Sequence, residues 1–287
     1  RAIREHYTKY EHRIPMRDGA RLFTAVYVPK DTKHVYPIMM TRTPYSVGPY
    51  GVDAYPDAKN ARVLRRFAPS GQMLKEGYVF VHQDVRGRMM SEGTFVDVRP
   101  HRTSNGAKDV DESTDAYDTI DWLVKNVPNN GRVGVWGISY PGFYAAQAVV
   151  DAHPAVKAVS PQGPMTDVFE GDDFHHNGAF MLADAYLFYR SFGVARPKPV
   201  DKWSWDDALP GAGDLYEYFL QMGTVPRLPG AFWQDLMREG NRSAFWQARD
   251  ARPRYKNAKP AIMVVGGWFD CEDLWGALQT HKAFGKQ

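Results

Sequence analysis

Gly131-Arg132-Val133-Gly134-Val135-Trp136-Gly137-Ile138-Ser139-Tyr140-Pro141-Gly142 is the stretch from which the fold is read. An apolar, β-prone run from Val133 ends in Gly-Ile-Ser-Tyr-Pro-Gly, and an alanine-rich helical segment, Phe143 to Val150, follows. Strand, tight turn with a serine at its apex, then helix is the geometry of a nucleophile elbow. So sharp a turn crowds its neighbours, which is why small residues, Gly137 and Gly142, flank the serine. The second glycine stands one place later than in the common Gly-x-Ser-x-Gly form. The bland alternative is a serine in an ordinary strand-to-helix turn.

Working outward, Asp115 to Val127 carries Ile120, Leu123, Val124 and Val127 at helical spacing, with Asp residues in its first turns. Strands are expected at Leu22 to Val28, Pro37 to Thr41, Gly77 to Val81, Val156 to Ser160 and Ala261 to Val265, and Arg17-Asp18-Gly19 is a turn signal. A helix from Leu274 runs to Gln287. Strands separated by helices argue for an α/β fold with a mostly parallel sheet. With the serine elbow, this is the α/β-hydrolase fold. Residues 1–163 form the first part of that core, with 1–10 as an N-terminal arm or first strand, and 261–287 continue it. Between them, 164–260 is crowded with aromatics (Phe174, Tyr186, Phe188, Trp203, Trp205, Trp233, among others) and broken by Pro and Gly. That pattern suits an inserted helical cap; the alternative is plain core of the same domain.

The 287 residues carry a formal net charge of +3, with Lys and Arg scattered, and 44% are hydrophobic. No basic stripe speaks for nucleic acid, and no apolar run approaches the roughly 18 residues of a membrane span. Cys271 is the single cysteine, so no internal disulfide framework exists, and this leaves the compartment open. The first residue is Arg1, and the expectation is a processed or trimmed product whose targeting segment is not visible. A periplasmic or secreted location is expected.

A serine hydroxyl needs a base, and the base needs an orienting third group. Ser139 is the candidate nucleophile. Asp270, just past a later strand, is where the acid belongs, though a chance loop Asp would look the same. Only His281 follows it, inside a predicted helix, and it reads as a surface or packing residue. None of the upstream histidines fits the order Ser, acid, His, so the base is expected beyond Gln287. The backbone N–H of Tyr140 is one oxyanion donor, and the loop after the Ile38 strand offers Tyr45 as the other. Asp172, Asp173, Glu272 and Asp273 lie on two loops at one sheet edge, where carboxylates can converge on a cation or simply be solvated. Their spacing matches neither a calcium loop nor a zinc site, so no metal and no cofactor is expected.

Five segments in order carry a resemblance: Arg17-Asp18-Gly19, Arg42-Thr43-Pro44-Tyr45, Gln83-Asp84-Val85-Arg86-Gly87-Arg88, Gly137 to Gly142, and Gly266-Gly267-Trp268-Phe269-Asp270. Together they resemble the family containing cocaine esterase, X-prolyl dipeptidyl peptidase and the α-amino acid ester hydrolases, the last most closely. The resemblance implies Ser139 as nucleophile, Asp270 as triad acid, and the Tyr45 hydroxyl and Tyr140 N–H as oxyanion hole. Asp173, Glu272 and Asp273 match the carboxylates that hold the substrate's α-ammonium. The implied activity is hydrolysis and transfer of α-amino acyl groups from esters and from β-lactam antibiotics of the ampicillin and cephalexin type. Simple ester hydrolysis, X-prolyl peptidase activity and a binding module without activity are the alternatives. The resemblance further implies a homotetramer, a catalytic His beyond Gln287, and a C-terminal jelly-roll absent from this chain. Cys271 departs from the family pattern, where a small residue such as alanine is expected.

Overall fold

The computed structural model describes residues 2–57, 59–104, 106–192, 214–224, 227–228 and 230–285. Helix α1 (Ala2–His6) leads into β1 (Tyr7–Pro15), which pairs antiparallel with β2 (Arg21–Pro29) along its whole length. Residues 2–10 are therefore part helix and part first strand, and Ile3 and Tyr7 are buried. The chain continues through β3 (Ile38–Thr43), α2 (Ala61–Phe67), α3 (Gly71–Glu76), β4 (Val79–Asp84) and α4 (Glu112–Asn126). Next come β5 (Val133–Ile138), α5 (Tyr140–Gln147) and β6 (Val156–Gln162). Helices α2 and α3 have no counterpart in the sequence reading: each is short, and neither repeats an apolar stripe long enough to show a period.

The inserted stretch opens with a two-residue hairpin, β7 (His175–His176) and β8 (Ala179–Phe180). Helices α6 (Leu182–Phe192), α7 (Leu215–Met222), α8 (Ala231–Arg238) and α9 (Ala244–Gln247) follow, then a 3-10 turn at Arg252–Asn257. Trp203 and Trp205 lie outside the described residues. Strand β9 (Ala261–Ile262) returns to the sheet, and α10 (Leu274–Phe284) comes last. The strand expected to reach Val265 is shorter, with Val265 making only a single bridge to Gln162.

The strand order is β1-β2-β4-β3-β5-β6-β9. The two pairings at the β1 end are antiparallel and the other four are parallel, the mostly parallel sheet of an α/β-hydrolase. Alternation along the strands divides the core. Leu22, Val26, Val79 and Val81 pack with Ile120 and Leu123 of α4 and Ala145 and Ala146 of α5. Phe23, Tyr27 and Phe80 point the other way and pack on Phe67 of α2. Both faces of the sheet are thus covered. The aromatics of the insertion form a third cluster, which meets the sheet layer through Tyr140, Phe143 and Tyr144 of α5. Among the described residues no helix is long and apolar enough to cross a membrane.

A buried ionic network ties the sheet to α4. Arg86 donates to Asp115 at 2.6 and 2.9 Å and to Asp18 of the β1–β2 turn at 2.7 and 3.2 Å. Arg42, fully buried in β3, donates to Gln83 at 2.9 Å and to the Glu112 carbonyl at 2.9 Å, with the Glu112 carboxylate 3.2 Å away. Asp111 caps α4 through a reciprocal pair of bonds with Thr114. Desolvated charges are tolerated only when paired, so removing one partner strands the other. Arg86→Ala is accordingly expected to lower unfolding free energy by about 3–5 kcal/mol. Breaking the exposed Arg21–Glu92 pair is expected to leave it nearly unchanged, which denaturant titration of both variants measures.

Candidate active site

The site begins at the turn between β5 and α5. Ser139 takes φ 62° and ψ −128°, a backbone conformation that an L-residue holds only under constraint. The constraint is the close seating of α5 on the sheet. A Cβ on Gly137 would sit on the carbonyl of Pro141, and one on Gly142 would come within 2.5 Å of the Gln162 carbonyl oxygen. The Ser139 N–H donates to that same Gln162 oxygen at 2.9 Å, and the Ser139 carbonyl accepts from Phe143 N–H at 3.0 Å. Tyr140 is the first residue of the helix, so its N–H has no intrahelical acceptor and is left beside the serine.

Ser139 opens into a cavity of about 280 Å³ that it shares with Tyr45, Tyr140, Asp173, Glu272 and Asp273. Val98, Met165, Phe174, Leu187 and Phe188 supply apolar wall, and Asp184 of α6 adds a further carboxylate. Six of the residues singled out in the sequence therefore meet in one place. Phe174 and Phe188 belong to the aromatic crowding visible in the sequence, whereas Val98, Met165 and Leu187 carry no local mark there.

Tyr45 follows β3, and the loop that carries it is pinned from the end of the neighbouring strand β4. Asp84, at the end of β4, accepts from Val47 N–H at 3.0 Å and from the Tyr50 hydroxyl at 3.0 Å, which pins the loop. Burial, then the charges of Asp173, Asp273 and Glu272, push the Tyr45 hydroxyl well above its ordinary pKa. It stays protonated and able to donate, as an oxyanion partner must.

The carboxylates come together through the backbone. Asp173, at φ 46°, donates its N–H to the Glu272 carbonyl at 3.2 Å, joining the loop after β6 to the loop after β9. One oxygen from each of Asp173, Glu272 and Asp273 lies within 4.8 Å of the others, a spacing that suits a small cation, whether an ammonium or a metal ion. Asp173 Oδ2 and Asp273 Oδ1 are buried without a hydrogen-bond partner among the described residues. Burial, then the charges of Glu272 and Asp172, raise the Asp173 carboxyl; burial, then Asp173, raise Asp273. Glu272 is raised as well, by burial and then by Asp184. The empty cluster therefore holds at least one proton at neutral pH.

Asp172, next in sequence, does different work. Its Oδ2 accepts from Thr166 N–H at 2.7 Å, the Thr166 hydroxyl at 3.1 Å and Asp167 N–H at 3.1 Å, which holds the loop. Asp270 does not line the cavity. Its Oδ1 accepts the N–H groups of Glu272 and Asp273 at 3.0 and 2.9 Å, and no described hydrogen bond reaches its Oδ2. No histidine lines the cavity either, and His281 is exposed on α10. His82 is buried in β4 against Phe67, and burial lowers it to about 4.

With this geometry in view, comparisons place the chain. The sequence profile of the X-Pro dipeptidyl-peptidase (S15) family matches residues 18–287. Cocaine esterase of Rhodococcus sp. (strain MB1 Bresler) is 32% identical over 169 residues, 59% of this chain and 26% of that protein. An aminopeptidase from a marine sediment Thaumarchaeota archaeon superposes with a TM-score of 0.77 at 31% identity, over 97% of this chain and 46% of its own. An α-amino acid ester hydrolase superposes with a TM-score of 0.74 at 33% identity, over 97% of this chain and 45% of its own. The chain thus spans about half the length of these solved relatives and about a quarter of the cocaine esterase. Its motifs, sheet order and profile agree on one assignment: the chain belongs to the X-Pro dipeptidyl-peptidase (S15) family.

Proposed function

We propose that this site performs serine acyl transfer on substrates bearing a free α-ammonium, α-amino acid esters and β-lactams with α-amino acyl side chains, through an acyl-enzyme on Ser139. The observation that carries the reading is the trio Asp173, Glu272 and Asp273 in the same cavity as the serine, with buried oxygens lacking partners. An α-ammonium placed there relieves their repulsion and gains charge-assisted hydrogen bonds. A neutral acyl group gains neither and leaves buried carboxylates unpaired. In the reaction, Ser139 Oγ attacks the acyl carbonyl, whose oxygen develops charge toward the Tyr45 hydroxyl and the Tyr140 N–H. On this reading Asp270 orients the general base, and no histidine among the described residues lines the cavity to serve as that base.

The solved aminopeptidase relative favours a second reading in which the leaving group is an amine rather than an alcohol. Both readings use the same ammonium contact. Phenylglycine methyl ester, its des-amino analogue and a phenylglycyl amide, assayed side by side, separate ester from amide preference; equal rates on the first two would sink the α-amino reading.

Three outcomes are expected. In the protein expressed from its complete reading frame, Asp173→Asn raises KM for the amino ester, lowering discrimination against the des-amino ester from about 1,000-fold toward unity. Its kcat on the neutral ester is kept, because Ser139 and the oxyanion donors are untouched; an equal loss on both esters would make Asp173 structural. Because no histidine among the described residues lines the cavity beside Ser139, turnover by the 287-residue chain alone is expected to be about 10⁴- to 10⁶-fold below that of a complete triad. Comparable turnover would show that a base lies within these residues.

The last outcome concerns stability. The folded pKa values of Asp173 and Asp273 are raised above the ordinary 3.8, so the folded state keeps protons that the unfolded chain has released. Stability then falls as pH rises from about 4 through the raised folded values. Asp273→Asn removes one member of the pair. It is expected to raise Tm by roughly 2–4 °C near pH 8 and by nothing near pH 4, as followed by calorimetry.

A further inference from the structure

Val98 is buried and forms cavity wall beside Ser139 and Tyr140, yet its φ is +38°. A β-branched residue is strained there, and such strain persists only where the surroundings over-determine it. The surroundings are visible. Val98 N–H donates to the Tyr140 hydroxyl at 2.8 Å, and that hydroxyl donates to Asp97 Oδ1 at 3.1 Å. The hydroxyl is thereby fixed in both directions. The Tyr140 ring stacks on Tyr144 at 5.2 Å, packs on Phe192 of α6 at 5.7 Å and meets the edge of Tyr45 at 6.4 Å.

Arg88 closes the circle. Its guanidinium lies over Phe192 at 4.4 Å and Phe95 at 4.9 Å. It donates to the Pro44 carbonyl, directly before Tyr45, at 2.9 Å and to the Phe192 carbonyl at 3.3 Å. Burial raises the Asp97 carboxyl to about 7, opposed by the Tyr140 hydrogen bond and then by Arg88 and Arg249.

We propose that Asp97 is a positioning residue for acyl recognition: acting through the Tyr140 hydroxyl, it holds Val98 in its strained conformation as a wall of the acyl cavity. The residue that offers its N–H to the oxyanion thus also sets, through its side chain, the space left for the acyl group. This rests on the reading of Ser139 as an acyl-transfer nucleophile and adds a determinant of acyl size to it. Asp97 is not among the residues that line the cavity. Losing it changes the wall and leaves the nucleophile and the oxyanion donors in place.

The test uses the protein from its complete reading frame, with alanyl and phenylglycyl methyl esters as small and bulky acyl donors. Asp97→Ala is expected to lower kcat/KM for the phenylglycyl ester by about 10-fold or more, while the alanyl ester changes by less than about 3-fold. Asp97→Asn, which keeps an acceptor for the Tyr140 hydroxyl, is expected to recover most of the loss. In a Val98→Gly background, where a positive φ carries no strain, Asp97→Ala is expected to have no further effect on the ratio. Equal losses on both esters, or additivity of the two substitutions, overturns the proposal. A crystal structure of Asp97→Ala supplies a readout that needs no activity: Val98 is expected to relax to negative φ, and a Val98 left at positive φ overturns the proposal. Should Asp97→Ala not fold, the same readout is taken on Tyr140→Phe, which deletes only the bridging hydroxyl. Wild-type protein inactive on both esters, with Val98 relaxed in the variant, would instead sink the acyl-transfer reading and leave the positioning role standing.

Discussion

The architecture turns on how closely α5 lies against the sheet. Only glycine fits at 137 and 142, because a side-chain carbon there would meet the Pro141 and Gln162 carbonyls. That approach forces Ser139 into its unusual backbone conformation and leaves the hydroxyl and the Tyr140 N–H at one opening. It also carries the aromatic face of α5, Tyr140, Phe143 and Tyr144, into the cluster formed by the inserted segment. The aromatics of residues 164–260 are therefore seated on the helix that begins at the candidate nucleophile, so packing in one layer bears on geometry in the other.

The polar motifs of the first hundred residues divide between two layers. Hydrogen bonds link Asp18 to Arg86, Arg86 to Asp115 and Arg42 to Gln83, and a longer ion pair of 3.8 Å between Arg42 and Asp115 joins them across the β1–β2 turn, two strands and α4. Asp84 and Arg88, flanking Arg86 in the chain, turn instead to the loop that carries Tyr45. Side chains separated by two positions thus serve different layers: Arg86 ties down the sheet, and Arg88 ties down the site. Buried guanidinium groups suit this task because their planar fork satisfies several acceptors from one fixed position.

The acidic corner shows the same residue type in opposite states. Asp172 is saturated by three donors and holds a loop, whereas Asp173 and Asp273 keep buried oxygens without partners and face the cavity. The cost of burying Asp173 and Asp273 shows in their raised pKa values, and such perturbed groups gather at functional sites. Asp270 belongs to the same turn and organises it, since its Oδ1 receives the N–H groups of both Glu272 and Asp273.

Local pattern was enough for the sequence to specify the elbow, α4 and strands β2, β3, β4 and β6, while the strand expected over Ala261 to Val265 forms only at Ala261–Ile262. In each of these, apolar spacing and turn chemistry are written over a few consecutive residues. The same is true of the candidate nucleophile, because Gly137, Ser139 and Gly142 encode a steric constraint within six positions. Helices α2 and α3 were not legible, being too short to show a period. The acids at 173, 272 and 273 were visible as loop carboxylates, but nothing within either loop distinguishes a solvated acid from a buried one. The backbone bond from Asp173 to Glu272 makes that distinction, across a hundred residues of chain. Nor does Asp97-Val98 carry any local mark: Val98 has a positive φ, and its N–H donates to the hydroxyl of a tyrosine 42 positions away. Fold class follows from short-range periodicity. The contents of the site follow from long-range contacts, which are settled only when the layers close on one another.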